Sequence, residues 1–114
     1  MKNLNLPKKV DLSELVPREG CQHHEKFIPT EAKVWLIHAA IACGFKRLEA
    51  TSFANPRRLP QFRDADEVMK RIDGEARQGV EITAVTITDR AIKEAVKARQ
   101  EGYGPDRILN MMYQ

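Results

Sequence analysis

The stretch that decides the fold is Val80-Glu81-Ile82-Thr83-Ala84-Val85-Thr86-Ile87, followed at once by Thr88-Asp89. Val, Ile and Thr dominate it, which is typical of a buried strand. Thr88 or Asp89 then caps a helix that we expect to end at Gly102. A strand that leads directly into a helix is the unit from which parallel α/β folds are built.

The same order of strand and helix signals recurs before and after this stretch. Because strictly alternating strands and helices with short links form right-handed βαβ crossovers, the pattern predicts a parallel sheet. The predicted strands are Val10–Val16, Arg47–Thr51, Val80–Ile87 and Arg107–Tyr113. The predicted helices begin at Thr30, at Asp64 (in a capping box with Glu67) and at Thr88 or Asp89, and they end at Cys43, Gly74 and Gly102.

The length of the repeating unit suggests two architectures. The period is about 35 residues, close to that of a (β/α)8 barrel of ~250 residues. The chain has 114 residues, so it holds only about three and a half such units. It is therefore either a small open α/β domain or the first half of a barrel, and the spacing alone leaves both open.

Composition excludes several classes of function. The net charge of +3 is small and spread along the chain, and aromatic residues make up only 6%, so nothing indicates nucleic-acid binding. No apolar run approaches the ~20 residues of a membrane span, and the amino terminus lacks the apolar core of a signal peptide. The two cysteines form no disulfide framework. We expect a soluble, cytoplasmic protein.

The chemistry should lie at the carboxyl ends of the predicted strands, where parallel α/β folds place their working residues. Three segments qualify: Pro17 to Glu25, Leu48 to Phe53, and Thr86 to Asp89. Charged side chains that converge on a shared mouth are costly unless they bind something. A surface ion pair is the alternative for Arg18 and Glu19.

Several short motifs occur together in this order and spacing. They are Leu6-Pro7-Lys8-Lys9-Val10, Pro17-Arg18-Glu19-Gly20-Cys21-Gln22, Phe27-Ile28-Pro29-Thr30, Glu49-Ala50-Thr51-Ser52-Phe53 and Pro60-Gln61. In these motifs the chain resembles the N-terminal part of the hydroxymethylglutaryl-CoA lyase family, metal-dependent TIM barrels. The resemblance implies that residues 1–114 form a single partial domain, the N-terminal half of a (β/α)8 barrel truncated at its C-terminus. Such a half has about four parallel strands and three helices.

The resemblance also implies a reaction, the cleavage of 3-hydroxy-3-methylglutaryl-CoA to acetyl-CoA and acetoacetate. Arg18 matches the arginine that stabilises the enolate oxygen developing on the thioester, as a fixed cation can. Glu49 matches the acidic residue that orients this arginine, although pairing with Arg47 is an alternative. Glu19 stands where the family has an Asp that binds Mg or Mn. Its extra methylene moves the oxygens by ~1.5 Å, against a tolerance of ~0.5 Å.

Further contacts to the acyl-CoA substrate are expected from Gln22, Ser52 and Arg57. Arg57, Arg58 and Arg63 surround the mouth that admits CoA in the family, and guanidinium groups suit its phosphates. The alternative is a solvated basic loop. His23 and His24 are adjacent, so they cannot chelate one ion as an i, i+4 pair does.

The family's remaining metal ligands, a His-x-His pair and an Asn, lie in later strands that this chain does not reach. We therefore expect the chain to be inactive by itself. Two other functions stay open: a related acyl-CoA condensing enzyme of the same superfamily, and a non-catalytic barrel half that acts as an interaction module. A half barrel also exposes sheet edges, which predicts self-association.

Overall fold

The computed structural model describes residues 4–111 and contains a three-stranded parallel sheet with three α-helices. The strand order is β1-β2-β3, so each helix between two strands makes a crossover to the neighbouring strand. In chain order the elements are α1 (Thr30–Ala42), β1 (Arg47–Phe53), α2 (Ala65–Arg71), β2 (Glu81–Thr86), α3 (Asp89–Gln100) and β3 (Arg107–Asn110). A π-helical turn (Val16–Gly20) precedes α1, and a 3-10 turn (Pro60–Phe62) precedes α2.

The first predicted strand, Val10–Val16, is wrong. Only Glu14 pairs with the sheet: its N–H donates to the carbonyl of Arg47 (3.0 Å), and its carbonyl accepts from Glu49 N (2.9 Å). Val10 and Leu12 are each 68% exposed, so no apolar packing stabilises an extended segment there. Residues 4–111 form three strands where four were predicted, and the rest of the half-barrel order is confirmed.

Two of the predicted helix ends are confirmed, whereas the predicted capping hydrogen bonds of α1 and α2 and the predicted end of α2 are wrong. Gly44 and Gly102 follow α1 and α3 with positive φ, and Thr88 Oγ1 caps α3 by accepting from Ala91 N (3.1 Å). Asp64 is the N-cap residue of α2 but makes no capping hydrogen bond, and Thr30 does not cap α1, because the Thr30 hydroxyl donates to the Asp64 carboxylate. The helix α2 also ends at Arg71, three residues before Gly74, because Ile72 is extended and buried.

Strand β1 contains a β-bulge at Ala50. The register pairs Glu49 with Thr83 of β2 but Ser52 with Val85, so one residue of β1 is extra. Paired residues of neighbouring strands share a face, and residues two apart on one strand do so as well. Glu49 and Ser52 therefore face the same side of the sheet, away from the helices.

The core lies between the sheet and the three helices. From the strands it receives Leu48, Ile82 and Ala84, and the helices cover them with apolar side chains that include Ile37, Val68 and Ala95. On the opposite face Val85 is buried, whereas Leu109 of β3 is 38% exposed.

In the described residues strand β3 covers Arg107–Asn110, and Met111 N donates to Thr86 O (2.8 Å). The last two residues of the predicted strand, 112 and 113, lie outside the described part of the chain. Within residues 4–111 no further strand pairs with the outer edge of β3. In the same range, no helix has the length and apolar character needed to cross a membrane.

Candidate active site

Arg18 lies in the π-helical turn that follows the bridge at Glu14, and this turn brings its side chain to β1. Pro17 is the second residue of this turn, a position that suits its fixed φ and missing N–H. Arg18 is only 9% exposed although it is always charged. A buried guanidinium needs several acceptors, and the surrounding residues supply them.

The guanidinium of Arg18 contacts three side chains. Its Nε donates to Glu49 Oε1 (2.8 Å), and its Nη2 lies 2.7 Å from the same oxygen. Its Nη1 donates to Glu19 Oε2 (2.6 Å) and to Gln22 Oε1 (3.1 Å). The structure thus brings together Arg18, Glu19, Gln22 and Glu49. Glu49 pairs with Arg18 and not with Arg47, which contacts Glu81 instead.

The Arg18–Glu49 pair can form further hydrogen bonds. Among the described residues, no acceptor other than Glu49 contacts Arg18 Nη2, which carries two N–H groups. The second oxygen of Glu49 likewise has no donor in this part of the chain. A fixed cation with a spare N–H is the arrangement that stabilises a developing oxyanion.

Ser52 lies further along β1 on the same face as Glu49. The hydroxyl of Ser52 is buried and has no hydrogen-bond partner within residues 4–111. A buried hydroxyl without a partner costs free energy, which a bound polar group would offset.

Glu19 is contacted by His23, one of the two adjacent histidines that the sequence excluded as a chelating pair. His23 Nε2 lies 2.8 Å from Glu19 Oε1, one helical turn further on. The hydrogen bond to His23 and the positive charge of Arg18 lower the pKa of the Glu19 carboxyl, so it is ionised at neutral pH. The i, i+4 spacing of Glu19 and His23 would have indicated this contact if the segment had been taken as helical.

The described residues do not fit a divalent cation by themselves. Within residues 4–111 no three His, Cys, Asp or Glu side chains are arranged to hold a metal ion. Both oxygens of Glu19, the predicted ligand, are engaged by Arg18 and His23. We therefore assign no catalytic step to a metal ion bound by these residues alone.

Arg57 is not brought to the Arg18 cluster. It lies in the loop after β1, where its side chain is exposed and its backbone N–H donates to Asn55 Oδ1 (3.0 Å). Arg58 and Arg63 are exposed as well, and Arg63 stacks on the ring of Phe27 at 3.8 Å. All three side chains are exposed, and their contact with CoA stays a prediction.

Comparison with known proteins shows which proteins this chain resembles. No family model matches the sequence. Hydroxymethylglutaryl-CoA lyase YngG of Bacillus subtilis (strain 168) is 37% identical over 91 residues, which is 80% of this chain and 30% of that protein. The crystal structure of the HMG-CoA lyase from Brucella melitensis matches 89% of this chain and 33% of that one, with a TM-score of 0.78 and 33% identity. An Acinetobacter baumannii HMG-CoA lyase solved with coenzyme A and 3-methylmalate matches 78% of this chain and 28% of that one (TM-score 0.73, 30% identity).

In fold the chain corresponds to part of a TIM barrel, and the proteins that it matches are lyases. More narrowly, it is similar in sequence and fold to the N-terminal part of the hydroxymethylglutaryl-CoA lyases, as its motifs predicted. It spans about three tenths of the length of the curated relatives it matches.

Proposed function

We propose that this chain provides the arginine-bearing part of an active site that cleaves 3-hydroxy-3-methylglutaryl-CoA to acetyl-CoA and acetoacetate. As the 3-hydroxyl loses its proton and becomes a ketone, the bond between C2 and C3 breaks. Its electron pair moves into the thioester, whose oxygen becomes an enolate oxygen, and protonation at C2 then gives acetyl-CoA. Arg18 stabilises that oxygen.

The observation that carries this proposal is the uncommitted N–H of the buried Arg18. Glu49 holds the guanidinium through Nε, so the cation is fixed before any substrate arrives. Such preorganisation avoids reorientation while charge develops. We assign further substrate contacts to Gln22, which accepts a hydrogen bond from Arg18, and to Ser52, whose hydroxyl has no partner among the described residues. Arg57, exposed in the loop after β1, is the group to which we assign a contact with the CoA portion.

Cleavage is favoured over condensation within this superfamily because the relatives described above are lyases. The acyl-CoA substrate class is supported by the coenzyme A in the Acinetobacter baumannii structure. Cys21 and Cys43 are both free, which supports the cytoplasm, a reducing compartment, as the location we propose.

We expect no turnover from the chain by itself, because its described residues include no group of side chains placed to hold a metal ion, and the chain spans only about three tenths of the relatives that it matches. Acetoacetate is assayed after the purified chain is mixed with substrate and Mg or Mn. A chimera in which this chain replaces the matching segment of the Bacillus subtilis relative should in contrast cleave the substrate.

The unmodified relative and the same relative without the segment are the controls. Turnover by the isolated chain well above the metal-only background would contradict the expected inactivity. A chimera that folds and yet releases no acetoacetate would refute the lyase function.

The chain should also self-associate through its sheet edges, with a second copy as the partner. The outer edge of β3 is unpaired within the described residues, and β1 carries only the Glu14 bridge on its outer edge. Apolar side chains are exposed in the segment before the Glu14 bridge (Leu4, Leu6, Val10 and Leu12) and on or just after β3 (Leu109 and Met111). Edges of this kind promote pairing with another chain.

Sedimentation at micromolar concentration should therefore show species heavier than 13.0 kDa. Leu109→Lys, which places a charge on the β3 edge, should shift the distribution toward the monomer. Trp35→Lys removes an exposed apolar side chain from α1, away from the edges, and should change nothing. A single 13.0 kDa species with a cooperative melt would exclude association.

A further inference from the structure

The loop that joins the Arg18 turn to α1 is held by one side chain from a distant part of the chain. Gln61 is buried, and its Nε2 donates to the carbonyls of His24 (3.0 Å) and Lys26 (2.9 Å). Its Oε1 accepts from Ile28 N (2.8 Å). The two donors and the acceptor of one amide are thus matched to three backbone groups of one loop.

Gln61 is itself fixed by a buried ion pair. Lys33 is 2% exposed; its Nζ donates to Asp64 Oδ1 (2.7 Å) and to the main-chain carbonyl of Gln61. The Thr30 hydroxyl donates to Asp64 Oδ2 (2.8 Å), and the Phe27 ring lies 4.2 Å from the Lys33 ammonium. Every charged atom of the pair has a partner, which a buried pair requires to be stable.

A continuous path of contacts leads from this network to the Arg18 turn. His24, whose carbonyl Gln61 binds, donates its N–H to the carbonyl of Cys21 (3.1 Å). Cys21 is buried three residues after Arg18. It is 2% exposed, and this burial raises the pKa of its thiol.

The two sides of the Arg18 turn are anchored very differently. On its amino side, Glu14 makes the bridge to β1, and residues 4–13 are exposed. On its carboxyl side, Gln61 makes three hydrogen bonds to the loop. The restraint on the carboxyl side is therefore the stronger one.

We propose that Gln61 is a positioning residue for Arg18. Held by Lys33 and Asp64, it fixes the loop over residues 23–29, so that the Arg18 guanidinium stands against Glu49. The role in catalysis rests on the function proposed above, but the positioning itself is a property of this chain and is measured without substrate.

The test is the hydrogen exchange of the Arg18 Nε–H, followed by NMR of the uniformly ¹⁵N-labelled chain. In the parent chain this proton is protected because it is bonded to Glu49 Oε1. Gln61→Leu keeps the size of the side chain and removes its three hydrogen bonds. We expect about tenfold faster exchange at Arg18 Nε, while the amide protons of β2 keep their protection.

Arg77→Met is the matched control. Arg77 donates to the carbonyls of Gly104 (2.8 Å) and Tyr103 (3.3 Å), so this variant unties a comparable loop far from Arg18. It should leave exchange at Arg18 Nε unchanged. Should Gln61→Leu fail to fold, the isosteric Gln61→Glu keeps the acceptor for Ile28 N, loses both donors and is expected to act in the same direction.

Unchanged exchange at Arg18 Nε in a folded Gln61 variant would overturn the proposal, and so would an equal change in Arg77→Met. Either result leaves the lyase function standing, because that function is judged by turnover of the chimera with Gln61 intact. Conversely, an inactive chimera does not affect the exchange measurement.

Discussion

Arg18→Lys in the chimeric lyase should lower kcat by about 10²–10³, the usual effect of removing one oxyanion donor. Lys keeps the positive charge but is a point charge on a flexible stem. It cannot satisfy Glu49, Glu19 and Gln22 together and still offer a fixed N–H to the enolate oxygen. Steady-state kinetics with 3-hydroxy-3-methylglutaryl-CoA measure the effect, and KM should change much less than kcat.

Arg71→Lys is the control, since Arg71 is exposed on α2 and pairs only with Glu67 among the described residues. Its kcat should stay close to that of the parent chimera. If Arg18→Lys also retained kcat within a few-fold, Arg18 would not be the group that stabilises the enolate.

The largest effect on stability is expected for Asp64→Leu. This change leaves the Lys33 ammonium, whose side chain is 3% exposed, without its carboxylate. Breaking a buried pair in this way costs about 3–5 kcal/mol, a large share of the ~5–15 kcal/mol that stabilises a typical domain. Urea unfolding followed by circular dichroism gives the free energy of unfolding.

The double variant Lys33→Met/Asp64→Leu should recover most of that loss, because neither charge is then buried alone. Glu67→Gln breaks the exposed pair with Arg71 and should cost less than about 1 kcal/mol. Equal costs for Asp64→Leu and Glu67→Gln would show that the Lys33–Asp64 pair is not isolated from water.

Much of the fold follows from local signals. Three strands, three helices and the glycine ends at Gly44 and Gly102 follow from β-branched runs, spacing and turn chemistry. The segment Val10–Val16 has the same local character and yet forms no strand. A strand needs a neighbour and a surface to pack on, and Val10 finds neither.

The candidate site was predictable where the family motifs contain its residues, whereas the Gln61 network was not predicted. The cluster of Arg18, Glu19 and Gln22 lies within one short motif, and Glu49, which the resemblance placed beside Arg18, contacts it from β1. The network around Gln61 joins residues that are 28 to 37 positions apart. A lysine within a helix, such as Lys33, is normally read as part of a solvated surface.

The bulge at Ala50 has a consequence for how this strand can change in evolution. Ala50 is the extra residue of β1, and Thr51 takes up the pairing with Ala84. A descendant chain that lost residue 50 would pair regularly along the whole strand and still present Glu49 and Ser52 on one side. Losing a residue of β1 outside the bulge would turn the side chains on one side of the loss to the opposite face of the sheet. A one-residue deletion is therefore tolerable at this point, and length differences among related sequences should concentrate there.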